Sequence, residues 1–218
     1  MTELPSVDKS YVAEVMRKSI HLASLAIPVV YFFIGKSLAL SILVPLTVAF
    51  AMADLLRLWH EPTGRLYHRY VGFLLRRHER HDSGRRLNGA TYVLVSAALC
   101  MLVLPKVIFV TAFAILIVSD TAAALVGRRF GRHRFLGKSL EGSTAFFLSA
   151  LVVVLIAPKI TGLPVEYAIG LAGAMFGAVV EALPLPVDDN LSVPFTIGAA
   201  MWILYALLMP GRDLFVLG

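Results

Sequence analysis

Charge and cysteine are scarce in this 218-residue chain. Charged residues make up 16% of it, too few to solvate the surface of a water-soluble domain that is 58% hydrophobic. With a mean hydropathy of +0.80, the chain belongs in a bilayer. The single cysteine, Cys100, falls inside an apolar run, so there is no disulfide framework and the redox compartment stays open. There is no Gly-x-Ser-x-Gly elbow and no Walker loop, which removes the hydrolase triad and the P-loop ATPase. Without an internal repeat, an inverted-repeat transporter has little support. His78-Glu-Arg-His81 lacks the cysteine or compact third ligand that a zinc site requires.

What is present is a series of apolar segments, each about the 20 residues a spanning helix needs. They cover 15–34, 38–58, 88–104, 107–127, 140–157, 165–183 and 193–209. The expected fold is therefore all-α, a polytopic integral membrane protein of about seven transmembrane helices forming one domain over 1–218. Arg17 and Lys18 ahead of Leu22–Ile34 look like the start of a signal peptide. A second apolar segment follows at once, however, so a retained first helix is expected. Basic residues gather on the cytoplasmic side of membrane proteins. Seven spans put sixteen of the 20 lysines and arginines on the N-terminal face and leave Lys36, Lys106, Lys159 and Arg212 opposite. The N-terminus is thus expected to be cytoplasmic, in a bacterial inner membrane or its equivalent. Of 14 carboxylates only Glu166 and Asp213 fall outside. Crowding of both signs at one surface suits an anionic, metal-bound soluble ligand, although large polar loops also carry both signs. The basic 59–87 interruption reads either as a helix lying in the interface or as an ordinary cytoplasmic loop.

The chemistry concentrates in Asp120-Thr-Ala-Ala-Ala-Leu-Val-Gly127-Arg128-Arg129-Phe-Gly131 and Gly137-Lys138-Ser139-Leu-Glu141-Gly142-Ser143. Ionisable groups at the ends of spanning helices are functional suspects by default. Asp120, Ala123/Ala124 and Gly127 share a helical face. Gly127 and Gly131 allow turns closed to larger residues. Asp120 and Glu141 are hard oxygen ligands suited to Mg²⁺, Lys138 can neutralise phosphate, and the helix opened by Ser139–Ser143 offers free N–H groups to an anion. The glycine spacing alone is also a common packing motif. Elsewhere, Glu181 and Asp188-Asp189-Asn190 place three acids at one helix–loop–helix junction. Asn190 or Ser192 can cap the last helix, with Pro194 in its first turn. Neighbouring Asp188 and Asp189 repel unless a cation or proton intervenes. Arg17 and His21 stand at i and i+4; Arg17 and Lys18 also serve as positive-inside anchors. Asp54 and Arg57 read as a structural ion pair.

These pieces resemble the CTP-dependent polyprenol/dolichol kinase, phytol kinase and diacylglycerol kinase family. The likeness rests on Asp120-x2-Ala-x3-Gly127-x3-Gly131 with Lys138-Ser-x-Glu141-Gly142, and on Arg17-Lys18-x-x-His21. Asn88-Gly-Ala-Thr-Tyr92 and Asp188-Asp-Asn-Leu-Ser-Val-Pro194 extend it over nearly the whole chain. The resemblance implies transfer of the CTP γ-phosphoryl group to a lipid hydroxyl, with Mg²⁺ as cofactor and membrane lipids as surroundings. It implies an isoprenoid alcohol as acceptor and no nucleic-acid partner, and leaves the oligomeric state open. Asp120, Glu141, Asp188 and Asp189 are assigned to Mg²⁺ or the phosphates. Gly127, Arg128, Arg129, Gly131, Lys138, Ser139, Glu141 and Gly142 are assigned to the nucleotide. The base beside the alcohol is either Asp189 or His21; Arg17, Lys18, Asn88, Glu181 and Asn190 are further candidates. The alternatives are a CTP-dependent diacylglycerol kinase, a phosphatidate-type cytidylyltransferase, whose His-Gly-Gly and Asp-Arg-x-Asp signature is absent here, and a membrane transporter.

Overall fold

The structure, a computed structural model, describes residues 9–59 and 87–215. The 60–86 stretch, including the expected interfacial helix and His60, His68, His78 and His81, lies outside the described residues. The elements are α1 (Lys9–Ala23), α2 (Ala26–Phe33), α3 (Lys36–Trp59), α4 (Gly89–Val103), α5 (Lys106–Phe130), β1 (Arg134–Phe135), β2 (Lys138–Ser139), α6 (Leu140–Ile156), α7 (Pro164–Ala182) and α8 (Asp189–Leu208). The fold is nearly all-α, as the apolar runs dictate, since a helix satisfies its backbone polar groups within itself. Four helices, α3, α5, α7 and α8, are long and apolar enough to cross a membrane; α4 and α6 are apolar but shorter.

The 15–34 segment is not one helix. The chain turns at Ser24 and Leu25, dividing the polar-striped α1 from the short apolar α2. The last helix starts four residues before the expected span, because Asp188 caps it and Asp189 already lies in its first turn. Pro194 therefore sits inside α8 and has no N–H to give the Asn190 carbonyl.

Helix α5 is the axis. Ile108, Phe109, Phe113, Ile115 and Leu116 on it are fully buried, and it touches α1, α2, α4, α6, α7 and α8. By contrast, α3 packs chiefly on α4 and turns Leu38, Ile42, Met52 and Leu56 outward. An apolar outer surface of that extent suits lipid and not water. Small residues let α7 approach its neighbours: a Cβ on Gly170 would stand 2.7 Å from Val154, and one on Gly177 2.7 Å from Ile197.

Successive helices return the chain to opposite ends of the bundle. At the far end, lysines satisfy carbonyls left over by helix C-termini. Lys106 Nζ donates to Ile34 O at 2.9 Å, Lys36 Nζ to Leu102 O at 2.9 Å, and Lys159 Nζ to Val154 O and Ala157 O at 2.7 Å. Glu166, 0% exposed, gathers the 157–163 loop there. Its carboxylate accepts from Ile160 N–H (2.7 Å), Thr161 N–H (2.8 Å), Thr161 Oγ1 (2.6 Å) and the Tyr205 hydroxyl (2.9 Å). The ionisable groups that remain for chemistry lie at the near end.

Candidate active site

The near end begins with a stripe on α1. Glu14, Arg17, Lys18 and His21 are spaced i, i+3, i+4 and i+7, so one helix face carries all four. That face lies against the last turns of α5. Lys18, 4% exposed, donates to the Asp120 carboxylate, and His21 Nε2 stands 3.3 Å from the same oxygen without a hydrogen bond. Arg17 bonds to Glu14 instead, and Arg128 reaches the other Glu14 oxygen at 2.8 Å. In the sequence Arg17 and His21 share a face at i and i+4, with Lys18 both an anchor and a further candidate. The structure makes Lys18 the companion of His21 and Glu14 (2% exposed) the partner of both arginines. The i, i+3, i+4, i+7 spacing was the available signal for Glu14.

A second group forms where the α5–α6 hairpin meets the α7–α8 connector. Strands β1 and β2 pair Arg134 with Ser139 and Phe135 with Lys138 around a Leu136-Gly137 turn. Gly137 N–H donates to Ala182 O at 2.8 Å, which presses the hairpin onto the end of α7. Lys138 Nζ then donates to Glu181 Oε1 at 2.6 Å and to Asp189 Oδ2 at 2.8 Å. Burial opposes the charge on Lys138, but the Asp189 and Glu181 carboxylates outweigh it and hold the ammonium above the usual lysine range. Lys138 is the cation that lets Asp189 stand beside Asp188. Asp188 itself is the helix cap, accepting from Asn190 N–H at 3.0 Å and Asn190 Nδ2 at 2.7 Å. The cap is therefore neither Asn190 nor Ser192.

The two groups share one electrostatic field. Asp120 lies within electrostatic reach of Lys138, Glu181 and Asp189, and Asp188 within reach of His21. Three carboxylates, those of Asp120, Glu181 and Asp189, thus share two lysines, with Asp188 next to them. Several polar atoms at this end are buried without a hydrogen-bond partner: Ser119 Oγ, Ser143 Oγ, Ser192 Oγ, Glu181 Oε2 and Asn190 Oδ1. Each such group costs about 1–3 kcal/mol when left unpaired. Their gathering at one end, with an excess of acceptors and negative charge, fits a site that is completed by a cation or a donor from outside.

Other expected site residues have local tasks. Ser139 caps α6 by accepting from Gly142 N–H at 3.2 Å. Gly131 has φ −62, open to any residue, so its contribution is space: a Cβ there would lie 2.3 Å from Gly127 O and 2.9 Å from Ser139 Oγ. A Cβ on Gly142 would meet Ala123 O at 3.1 Å and Gly127 Cα at 3.3 Å. The glycines are thus the contact between α5 and α6. Glu141 turns to His133, whose Nδ1 is 2.7 Å from Oε1. Arg129 is exposed, with its guanidinium over Phe130. Asn88 caps α4 through Thr91 N–H and donates to Asp54, which also accepts from Thr91 Oγ1 and lies 3.4 Å from Arg57. Asp54 and Arg57 thus form the ion pair read from their spacing. Among the described residues, no three His, Cys, Asp or Glu side chains are grouped to hold a metal ion by themselves.

No family model and no solved structure matches the chain. It is similar to an uncharacterised protein of Rickettsia prowazekii (strain Madrid E), with 27% identity over 185 residues that cover 84% of this chain and 90% of that protein. It is also similar to the CTP-dependent diacylglycerol kinase 1 of Schizosaccharomyces pombe, with 26% identity over 166 residues, 69% of this chain and 74% of that one. The second likeness is distant and supports an enzyme of kinase type in a chain whose apolar helices suit a membrane.

Proposed function

We propose that the chain is a multi-pass membrane kinase that transfers the γ-phosphoryl group of CTP to the hydroxyl of an isoprenoid alcohol of the phytol, polyprenol or dolichol kind. The near end faces the cytoplasm in this reading, as the distribution of basic residues requires. The observation that carries it is the pair of lysines held by carboxylates from different helices, with unpartnered polar atoms around them. CTP as donor is taken from the motif and from the kinase relative.

Phosphoryl transfer is mostly positioning and charge neutralisation. Lys138 and Lys18 supply positive charge that can turn from carboxylate to phosphate. Mg²⁺ fits the surplus of hard oxygen acceptors, and Asp120 and Asp189 would hold it; Glu141, engaged by His133, and Asp188, the helix cap, drop out of that set. Such an ion usually keeps one or two carboxylates together with substrate phosphates, and it supplies charge that neutralises those phosphates. The acceptor hydroxyl oxygen bonds to the γ-phosphorus as the bond to the β,γ-bridging oxygen breaks, and CDP leaves. The hydroxyl proton goes to His21, whose Nε2 has no hydrogen-bond partner, since Asp189 would be committed to Mg²⁺ once Lys138 turns to phosphate.

A second reading, diacylglycerol as acceptor, is favoured by the activity named for the S. pombe relative. One assay separates the readings. Purified protein in lipid nanodiscs receives γ- or α-labelled CTP with phytol, polyprenol or diacylglycerol. The expected result is γ-label in an isoprenoid phosphate and no α-label in any lipid. Label from α-CTP would make the protein a cytidylyltransferase, and γ-label only in phosphatidate would transfer the assignment to the second reading.

A further inference from the structure

Two loops flank the Lys138–Asp189 contact, and both point apolar side chains away from the protein. Leu136 at the hairpin tip is 50% exposed and Leu185 in the α7–α8 connector 42%, with Phe135 and Val187 exposed beside them. The bond from Gly137 N–H to Ala182 O, and the 3.2 Å between the Gly137 Cβ position and Pro184, hold the loops side by side. Their apolar surface continues into the outward faces of α6 and α7 at Leu140 and Val179.

Two independent features make this exposure a built one. The connector Leu183-Pro184-Leu185-Pro186 has no backbone donor to lose on leaving water. Its two prolines have no N–H, Leu183 N–H is bonded to Val179 O and Val180 O at 3.2 Å, and Leu185 N–H to Leu183 O at 2.9 Å. A lipid environment demands that N–H donors find partners within the protein, and those of this connector do. At the hairpin tip, Leu136 has φ 49, in the left-handed region where glycine or asparagine is usual. Strain of this kind persists only where the surroundings hold it in place, and it concentrates at functional positions. Around the tip, Arg129, Arg132 and Arg134 are exposed and complement anionic headgroups.

We propose that the 134–139 hairpin and the 183–187 connector form a joint lipid seat in the headgroup–acyl boundary of an anionic leaflet, which sets Lys138 and Asp189 at the depth of the acceptor hydroxyl. The depth assigned to the site rests on the lipid-kinase reading; the lipid seat does not. The test places nitroxide labels singly at Leu136→Cys, Leu185→Cys and Arg132→Cys in a Cys100→Ala background, with full-length protein in phosphatidylcholine–phosphatidylglycerol vesicles. Labels at 136 and 185 should be relaxed more by oxygen than by a water-soluble nickel chelate, and the label at 132 the reverse. Preference for the chelate at 136 and 185, or shielding from both reagents by a second copy, overturns the seat. In the kinetic arm, Leu136→Gln/Leu185→Gln should raise the apparent KM for the lipid acceptor roughly tenfold, the scale of returning part of two leucine side chains from lipid to water, with the KM for CTP unchanged. An unchanged lipid KM would remove the depth argument, even with both labels immersed. Activity with aqueous labels would remove the seat and leave the kinase standing.

Discussion

At the scale of single residues, the near end works by compensation. Lys138→Ala should lower kcat by two to three orders of magnitude, the effect of losing about 2.7–4 kcal/mol of charge stabilisation in a transition state. The same variant should also be less stable. Glu181, 2% exposed, would lose its cation and remain buried beside Asp189. Thermal unfolding in detergent should therefore show a lower Tm for Lys138→Ala. The Tm should partly recover in Lys138→Ala/Glu181→Gln, while activity should not. If the double variant is no more stable than the single, Glu181 is not the residue being compensated. Asp120→Asn follows the same logic, since it strips the buried Lys18 of its counter-charge. Its loss of Tm should be reversed by Lys18→Met. The pH dependence has a definite sign. Lys138 is held above its ordinary value of 10.5, so its contribution to stability is complete below that value and disappears as pH rises through the higher folded value. A Tm scan comparing wild type with Lys138→Ala should give a constant difference between about pH 7 and 9. A gap that closes within that window would contradict the ion-pair geometry.

At the scale of elements, the apolar runs were legible because each needs only its own composition to become a helix. The boundaries that depend on polar partners were not. The break between α1 and α2 follows from a stripe that turns toward α5, and the early start of α8 from a cap made by Asp188. Asp120 and Lys138 stood out in the sequence as charges where apolar residues belong. Their partners are set by packing: Lys18 reaches Asp120, and Glu181 and Asp189 reach Lys138, from helices far along the chain. The glycine spacing that resembles a ligand loop also brings α5 close against α6. Gly142→Ala should accordingly reduce stability by forcing that contact apart, a change visible in Tm even without nucleotide. Glu166 gives an element-scale control, since it accepts from the 157–163 loop and from Tyr205 on α8. Glu166→Gln should destabilise the far end by about 1–3 kcal/mol while the kcat of the folded fraction stays at the wild-type value. A fall in kcat without a fall in Tm would move Glu166 from scaffold to function.

At the scale of the whole molecule, the near end concentrates groups that titrate and carry charge, and the far end spends its polar groups on holding loops. A reporter fused after Gly218 is expected outside the cytoplasm and one inserted at 78–84 within it. Agreement of both on one side would refute the seven-span topology. The far-end lysines also bear on how such a chain is assembled. Lys106, at the start of α5, ties off the end of α2, and Lys36, at the start of α3, ties off the end of α4. Each clasp joins one helical hairpin to the next and can close only after both have crossed. The early helices would wait with open carbonyls until α5 arrives, so a chain stalled after α4 should be a better target for membrane quality control than one stalled after α5.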